Sequence, residues 1–183
     1  MIKKYTDQEL KDQRPKLEVL KQQKRHPISI ILENIRSLYN VGSMFRSSDG
    51  ALIEKLYLSG YTASPPRKEI EKTALGSVAS VPWEHHQDPS GVITELKKKN
   101  YSIISLEHTT KSIPYNKVDY NFPVCLILGN EVEGISQNLI NQSDFAIDIP
   151  MFGIKQSLNV TVAYGIIIYH LIEKYKAELK KKP

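Results

Sequence analysis

The fold of this chain is decided by one stretch near its C-terminus, Ile149-Pro150-Met151-Phe152-Gly153-Ile154-Lys155-Gln156-Ser157-Leu158-Asn159-Val160-Thr161-Val162-Ala163. Its first half predicts a loop, because Pro150 lacks a backbone donor and Gly153 tolerates a turn. Its second half predicts a helix that begins near Ser157, whose hydroxyl can accept a bond from a free N–H group. Asn159 is then expected in the first turn, facing the loop, where free N–H groups and two polar side chains converge.

The predicted helix is apolar around most of its circumference. Apolar residues recur every three or four positions, and others widen this face: Leu158, Val162, Ile166, Tyr169 and Ile172, then Ile167, Ile168 and Leu171. Such a helix is buried, and we expect it between the sheet and a second subunit. A core helix without a functional role would also explain the apolar face. A functional site is therefore indicated by the polar pair Ser157 and Asn159 at the start of the helix, and not by its apolar face.

Strands and helices alternate along the rest of the chain. A charged helix is predicted over 6–24, ended by Pro27, and strands are predicted at 28–32, 55–60, 78–83, 101–106, 122–128 and 144–149. The alternation predicts an α/β fold with a mainly parallel sheet flanked by helices. We expect a single domain over 1–183, with a basic N-terminal helix (1–27), a catalytic core (28–172) and a basic C-terminal end (173–183).

Basic residues are concentrated at the two ends of the chain. The net charge is +5, and residues 1–27 carry eight Lys and Arg against four Asp and Glu. Residues 170–183 carry five against two, whereas 28–169 carry twelve against fourteen. This distribution favours basic arms that bind a polyanion such as RNA. The alternative is that Lys180, Lys181 and Lys182 only solubilise a helix end.

The composition argues against several other classes of protein. Cys125 is the single cysteine, so no intrachain disulfide and no cysteine metal cage is expected. His85 and His86 are adjacent, and adjacent residues on a strand face opposite sides, so we expect no metal site. The longest apolar run, 158–172, falls short of the roughly 20 residues of a membrane span. With no signal-peptide pattern, a cytoplasmic protein without a membrane is expected.

Polar loops follow three predicted strands, at 33–46, 129–136 and 150–159, and a weaker one lies at 106–110. The carboxyl ends of parallel strands meet at one edge of a sheet, where open α/β folds bind their ligands. We therefore expect these loops to line one cleft with five polar side chains: Asn40, Arg46, Glu131, Ser157 and Asn159. Asn40 is expected to cap a helix that carries Arg46 about two turns later. Spacing alone predicts an anion- or nucleotide-binding cleft, since no nucleophile–base pair or P-loop is present.

Three blocks of sequence also resemble the motifs of a known family. The blocks are Asn34-x-Arg36-Ser37-x-x-Asn40-Val41-Gly42-Ser43-x-x-Arg46, Leu128-Gly129-Asn130-Glu131-x-x-Gly134-Ile135, and Ile149-Pro150-Met151-x-Gly153-x-x-x-Ser157-Leu158-Asn159-Val160-Thr161-Val162-Ala163. In order and spacing they are similar to motifs 1, 2 and 3 of the TrmH/SpoU branch of the SPOUT RNA methyltransferases. The resemblance covers about residues 28–172.

The resemblance implies a fold, a reaction and a set of site residues. It implies a C-terminal deep trefoil knot, a homodimer with the site at the subunit interface, and methyl transfer from S-adenosylmethionine to a ribose 2′-hydroxyl of tRNA or rRNA, without a metal. By position, Arg46 matches the catalytic arginine, and Asn40, Glu131, Ser157 and Asn159 match the other functional polar positions. Backbone near Leu106, Gly129, Ile149 and Leu158 is expected to hold the cofactor, and Asn34 and Arg36 are expected to bind substrate.

Alternatives stay open at this point. Because a guanidinium stays protonated in proteins, Arg46 is either a proton acceptor aided by the RNA phosphate or an electrostatic clamp on that phosphate and the developing alkoxide. Purely local roles are also open for these residues. Asn40 and Ser157 could serve only as helix caps, Glu131 could accept hydrogen bonds from loop amides, and Arg46 could pair with Asp49. At the level of the protein, the alternatives are a non-catalytic knotted dimer that binds RNA or cofactor, and an enzyme that methylates a base.

Overall fold

The computed structural model describes residues 1–181, and within that range seven strands form one wholly parallel sheet in the order β3-β2-β1-β6-β4-β7-β5. The strands are β1 (His26–Glu33), β2 (Ile53–Ser59), β3 (Trp83–His86), β4 (Ser102–Leu106), β5 (Ile113–Pro114), β6 (Val124–Leu128) and β7 (Phe145–Asp148). The predicted α/β class with a parallel sheet is confirmed. The knot stays a prediction.

Helices cover both faces of the sheet. They are α1 (Asp7–Asp12), α2 (Leu17–Gln22), α3 (Leu38–Gly50), α4 (Lys68–Ala74), α5 (Ser90–Lys98), α6 (Gln137–Gln142) and α7 (Val160–Lys181), with 3₁₀ turns at Ser77–Ala79 and Tyr115–Lys117. Helices α3, α4 and α7 pack on one face, and α5 and α6 pack on the other. Since both faces are covered, the inner strands are buried on both sides and read as continuous apolar runs.

Strand β1 shows how the core is divided between the two faces. Ile28, Ile30 and Leu32 are fully buried on the side of α3 and α7, whereas Ile31 is fully buried on the side of α5 and α6. Successive side chains of a strand point to opposite faces, which explains the division. The strand ends at Glu33, and the chain then enters the first of the three motif loops. The core thus fixes where motif 1 leaves the sheet.

The N-terminal segment differs from the prediction of one helix over 6–24. It forms two short helices, α1 and α2, neither of which has a buried residue. Pro15 lies between them, and a proline inside a helix removes a hydrogen bond and clashes with the preceding turn. Pro27 does not end a helix, because it lies inside β1. Arg25 joins the segment to the core by donating to the carbonyls of Ile53 and Ser80.

Two other element predictions were also wrong. The strand predicted at 78–83 is instead a 3₁₀ turn at Ser77–Ala79 followed by β3 at Trp83–His86. Helix α7 begins at Val160, not near Ser157, and it continues to Lys181. The predicted boundary between core and C-terminal end at 172 therefore falls inside a helix. Of the lysines at the C-terminus, Lys182 lies outside the described residues.

Helix α7 is buried along only part of the apolar face that was predicted. Its buried residues are Tyr164, Ile167, Ile168, Leu171 and Ile172. Ile172 of the predicted stripe is among them, whereas Val162, Ile166 and Tyr169 of that stripe face outward and are 50, 37 and 54 % exposed. The helix is apolar on both sides, as the sequence indicated, but only one side is covered by the sheet.

The described part of the chain contains neither a helix that could span a membrane nor a cluster of metal-binding side chains. No helix within residues 1–181 is both long enough and apolar enough to cross a membrane. No group of three or more His, Cys, Asp or Glu residues in that range is placed to hold a metal ion. His85 instead contacts the carbonyl of Gly60 at 3.1 Å, and His86 contacts Glu84 at 3.1 Å.

Candidate active site

A cleft of about 310 Å³ opens at the carboxyl ends of β4, β6 and β7. Seven of the predicted site residues line it: Leu106, Gly129, Glu131, Ile149, Ser157, Leu158 and Asn159. The set contains all four residues predicted to hold the cofactor. The remaining four predicted residues, Asn34, Arg36, Asn40 and Arg46, do not line the cleft. The strand ends thus bring motifs 2 and 3 together directly, while motif 1 lies beside them.

The motif 2 loop closes on itself so tightly that its glycines are required. Asn130 and Gly134 form an isolated bridge with reciprocal backbone hydrogen bonds of 3.1 and 3.0 Å. A Cβ on Gly129 would lie 2.3 Å from backbone atoms of Gly134 and Ile135. Gly134 has a φ of +72°, and a Cβ there would lie 2.3 Å from the Glu107 carboxylate. This floor of the cleft is therefore made of backbone, which can approach a ligand closely.

Glu131 connects motif 2 to motif 1. Its carboxylate accepts hydrogen bonds from Arg36 N at 3.0 Å, Ser37 N at 3.2 Å and Asn40 Nδ2 at 2.7 Å. Partial desolvation acts to raise the pKa of Glu131, but the bonds from Arg36, Asn40 and Ser37 outweigh it and hold the pKa below its usual range. The carboxylate is therefore ionised and binds loop amides, which was one of the open alternatives.

Asn40 is not the cap of α3. The N-cap is Ser37, whose hydroxyl accepts from Asn40 N at 3.3 Å, and the helix begins at Leu38. Asn40 therefore lies in the first turn, where its side chain is free to reach Glu131 instead of its own backbone. The prediction that Asn40 precedes Arg46 on the same helix is confirmed, but the capping role belongs to Ser37.

Asn159, and not Ser157, caps α7. The Asn159 Oδ1 atom accepts from Thr161 N at 2.8 Å and from Thr161 Oγ1 at 2.6 Å, and its carbonyl accepts from Val162 N and Ala163 N. Ser157 lies in the preceding loop, exposed at the mouth of the cleft. Asparagine is among the best N-caps, and here it serves the helix while lining the cleft.

Asn34 connects three loops beside the cleft. It has a φ of +55°, a conformation that asparagine tolerates better than most residues. Its Oδ1 accepts from Tyr61 N at 3.1 Å, and its carbonyl accepts from Asn130 Nδ2 at 3.0 Å. The structure therefore gives Asn34 a role in holding the loops. The Arg36 side chain is exposed.

Arg46 is an exposed cation on α3. Its guanidinium has no ion pair or hydrogen bond within residues 1–181. The possible pairing with Asp49 is absent, because Asp49 accepts from Ser80 Oγ. Arg46 also does not line the cleft of its own chain. The Arg46 guanidinium is therefore available to bind another molecule.

Three polar residues that line the cleft lie outside the three motif blocks and were not predicted as site residues: Glu107, His108 and Asp148. Glu107 accepts from Ile135 N at 2.9 Å and from His108 N at 2.9 Å, so it fixes the motif 2 loop. His108 Nδ1 lies 3.4 Å from Asp148 Oδ2. Their positions in the sequence could have identified them, since Glu107 and His108 are the first two residues after β4 and Asp148 is the last residue of β7. Polar residues at such strand ends are candidates by the same rule that located the other loops.

Comparison with known proteins places this site in a family. Residues 27–169 match the model of the SpoU rRNA Methylase family. The chain belongs to this family. It is also 33 % identical over 153 residues to a tRNA (guanosine(18)-2′-O)-methyltransferase of Aquifex aeolicus, covering 83 % of this chain and 71 % of the relative.

Solved structures of similar proteins have the same fold. The A. aeolicus TrmH/SpoU tRNA modifying enzyme superposes with a TM-score of 0.79 at 29 % identity, covering 88 % of this chain and 83 % of that one. An AdoMet-bound rRNA methyltransferase from Sinorhizobium meliloti gives 0.75 at 25 % identity, covering 87 % of this chain and 60 % of that one. The predicted family, and with it an S-adenosylmethionine-dependent RNA methyltransferase, is confirmed.

Proposed function

We propose that this protein transfers the methyl group of S-adenosylmethionine to a ribose 2′-hydroxyl of tRNA. The observation that carries the proposal is the cleft at the carboxyl ends of β4, β6 and β7, which is lined by motifs 2 and 3 and joined to motif 1 through Glu131. The choice of tRNA follows the activity for which the A. aeolicus relative is named. Ribosomal RNA is the second candidate, because the family and the S. meliloti neighbour are named for it.

The cleft fits the proposed cofactor in size and in chemistry. Its volume of about 310 Å³ lies at the lower end of the range for small-molecule sites. Leu106, Gly129, Ile149 and Leu158 would hold the cofactor with backbone groups and apolar contacts. Four carboxylates line the cleft, and no Lys or Arg of the described chain does. A cationic ligand therefore suits it. The bound cofactor supplies an electrophilic methyl group on sulfur.

Arg46 and its neighbours would act on the RNA. An arginine can bind a phosphate through two parallel hydrogen bonds and stabilise a nearby developing alkoxide. Arg46 is free for this contact, since it has no partner within residues 1–181. Asn40 and Glu131 would fix the first turn of α3 and so the position of that helix. Ser157 and Asn159 would orient the ribose at the mouth of the cleft.

We also propose that two copies form the working unit, joined on the outer face of α7. Val162, Ile166 and Tyr169 leave this face apolar and exposed, and it continues into a groove of about 500 Å³ beside Tyr115 and His170. Burial of such a face by a second copy would be favourable. The cleft of one chain lacks Arg46, which favours an interface at which a partner completes the site. The knotted path of the motif 3 loop belongs to the same proposal.

The exposed basic segment at the N-terminus would add affinity for RNA. Helices α1 and α2 have no buried residue, so their lysines are free to contact phosphates. The proposed organisation is then one catalytic domain with basic ends, acting in the cytoplasm, where its RNA would be found. Phosphate contacts from these ends would be independent of base sequence.

The test combines purified protein, tritiated S-adenosylmethionine, and tRNA and rRNA fractions from cells that lack the gene. Label in tRNA that survives alkali as a dinucleotide supports the proposal, because ribose methylation blocks alkaline cleavage at that position. Label in rRNA alone overturns the choice of tRNA. Label that is released in mononucleotides indicates base methylation. No label in either fraction, with cofactor still bound by calorimetry, favours the non-catalytic dimer.

A further inference from the structure

Asp148 ends β7, lines the cleft, and has one buried carboxylate oxygen without a hydrogen-bond partner in the described chain. Its Oδ2 lies 3.4 Å from His108 Nδ1, whereas Oδ1 is buried and has no hydrogen-bond partner within residues 1–181. A buried polar atom without a partner costs free energy, and the cost is larger when the group is charged. The Oδ1 atom therefore needs a donor that the described chain does not supply.

The other carboxylates of the cleft do not share this feature. Both oxygens of Glu107 are occupied, by Ile135 N and His108 N, and both oxygens of Glu131 are occupied by motif 1. Glu133 is exposed, so water satisfies its carboxylate. Of the four carboxylates that line the cleft, Asp148 alone has a buried oxygen without a donor in the described chain. A structural role explains Glu107 and Glu131 but leaves Asp148 Oδ1 unexplained.

The charge of the cleft indicates what kind of donor would fit. No Lys or Arg of the described chain lines it, and His108 is the only lining residue that can carry a positive charge. A carboxylate makes its strongest hydrogen bonds to nitrogen donors, above all to charged ones. S-Adenosylmethionine carries two such groups, an α-ammonium and the amino group of adenine.

We propose that Asp148 accepts a hydrogen bond from a nitrogen of the bound cofactor, and that His108 holds the carboxylate in place for this contact. The inference rests on the proposed function, because that function supplies the cofactor. Asp148 is then a binding residue and His108 a positioning residue. Neither belongs to the three motif blocks that identified the cleft.

Calorimetric titration with S-adenosylhomocysteine tests this assignment without any turnover. Asp148→Ala should weaken binding about ten- to hundred-fold, the range expected for a hydrogen bond to a charged group, and Asp148→Asn should weaken it less. Glu69→Gln is the control, because it removes a carboxylate at an exposed position of α4 that does not line the cleft, and it should bind within about twofold of wild type. Thermal unfolding of each variant checks that it is folded. The isosteric Asp148→Asn keeps the test open if Asp148→Ala fails to fold.

Two further ligands identify the nitrogen. S-Inosylhomocysteine lacks the adenine amino group, and 5′-methylthioadenosine lacks the α-ammonium. If the loss caused by Asp148→Ala disappears with one of them, that ligand names the donor, and His108→Ala should show a smaller loss with the same ligand dependence. An equal loss with all three ligands, or no loss with any, overturns the inference. Wild-type protein that binds none of them overturns the proposed function instead.

Discussion

Glu131 Oε1 accepts a 2.7 Å hydrogen bond from the side-chain amide of Asn40, although the two residues are 91 positions apart. The bond joins the loop after β6 to the first turn of α3, the helix that carries Arg46. Two backbone N–H groups, from Arg36 and Ser37, bind the same carboxylate. A negative charge beside a helix N-terminus is also favourable to the helix dipole. The pair therefore fixes the helix of motif 1 against the loop of motif 2.

The first prediction concerns this pair. Glu131→Ala and Asn40→Ala should each lower the free energy of unfolding by about 1 kcal/mol, the usual net value of a hydrogen bond, and the double variant should lose less than the sum. Methyl transfer should fall more than tenfold in each, because α3 loses its anchor. Urea unfolding and a single-turnover assay measure the two effects. Glu69→Gln, which removes an exposed carboxylate of α4 outside the cleft, is the control. Fully additive losses would contradict a direct coupling of Asn40 and Glu131.

The second prediction concerns Arg46. Arg46→Ala should abolish methyl transfer and leave stability within about 0.5 kcal/mol, since the side chain is exposed and has no partner within residues 1–181. Binding of S-adenosylhomocysteine should be unchanged, because the role proposed for Arg46 is to bind the RNA and not the cofactor. Calorimetry and the tritium assay separate the two effects.

Arg46→Lys tests whether the role of Arg46 requires only a positive charge or the planar guanidinium group. A point charge that clamps a phosphate would retain part of the rate, whereas a role that needs the planar fork would not. Arg67→Ala removes a charge just before α4 and should leave the rate unchanged. A rate near that of wild type in Arg46→Ala would exclude Arg46 from the reaction.

The third prediction separates the capping role of Asn159 from its role in the site. Asn159→Ala should lower the free energy of unfolding by about 1 kcal/mol, because Thr161 N loses its acceptor. Asn159→Ser keeps an N-cap oxygen and should recover most of that loss. If the amide also orients the ribose, Asn159→Ser should remain slow in methyl transfer. Recovery of both stability and rate in Asn159→Ser would show that the residue acts only as a cap.

The sequence could predict most of the fold because buried parallel strands are continuous apolar runs. The strands around Ile30 and Leu126 were placed correctly for that reason, as was the meeting of motifs 2 and 3. Helix starts were less predictable, since Ser37 and Asn40, or Ser157 and Asn159, are equally good caps by composition. Which of the two residues caps the helix depends on other hydrogen-bond partners that are distant in sequence. Glu131, for example, binds the side chain of Asn40. Asp148 was not predicted for the same reason, because the lack of a partner for its oxygen depends on residues that are distant in sequence.

The outward stripe of α7 illustrates a second limit. The periodicity predicted a helix that is apolar around most of its circumference, but it could not decide which side packs on the sheet. Tyr164 shows the answer: it is fully buried, and its hydroxyl bonds Ser48 of α3 at 2.7 Å. A tyrosine is not an obvious core residue, yet a hydroxyl with a buried partner can be placed there. Val162 and Ile166 were consequently left on the outside.

The fourth prediction concerns His170, which lies beside that outward stripe. Desolvation lowers the pKa of His170 from its ordinary value of 6.5, and Lys174 lowers it further, while Glu173 acts in the opposite direction. The folded state thus binds this proton less readily than the unfolded state. The contribution of neutral His170 to the free energy of unfolding is fully present above about pH 6.5, the pKa of the unfolded state. It is lost as the pH falls through the lower pKa of the folded state. Stability should therefore decrease from about pH 7 to about pH 5.

His170→Gln should reduce that pH dependence of the free energy of unfolding, measured with urea at one fixed protein concentration. His85→Gln is the matched control, because His85 is exposed on β3, and it should leave the wild-type profile in place. If a second copy covers the groove beside His170, dissociation of the dimer should follow the same direction, with weaker association at about pH 5. An identical profile in His170→Gln and wild type would contradict this role.

The fifth prediction concerns the basic N-terminal segment. Lys16, Lys21 and Lys24 are exposed, and Arg25 fixes the end of the segment to the core through Ile53 and Ser80. Replacing the three lysines by glutamine should weaken tRNA binding and reduce the slope of log K against log salt by about one for each phosphate that is no longer neutralised. Affinity for S-adenosylhomocysteine should not change, because the segment does not line the cleft.

The matched control for the segment replaces Lys97, Lys98 and Lys99, at the end of α5, by glutamine. It removes the same charge from the far face of the sheet, on which α5 packs. If only the net charge matters, the slope of log K against log salt should change equally in the two variants. If the N-terminal segment binds phosphates, the slope should change only in the N-terminal variant. Because the segment is held at Arg25 and not buried, its lysines can follow an RNA backbone without disturbing the core. An unchanged slope in the N-terminal variant would assign these lysines to solubility alone.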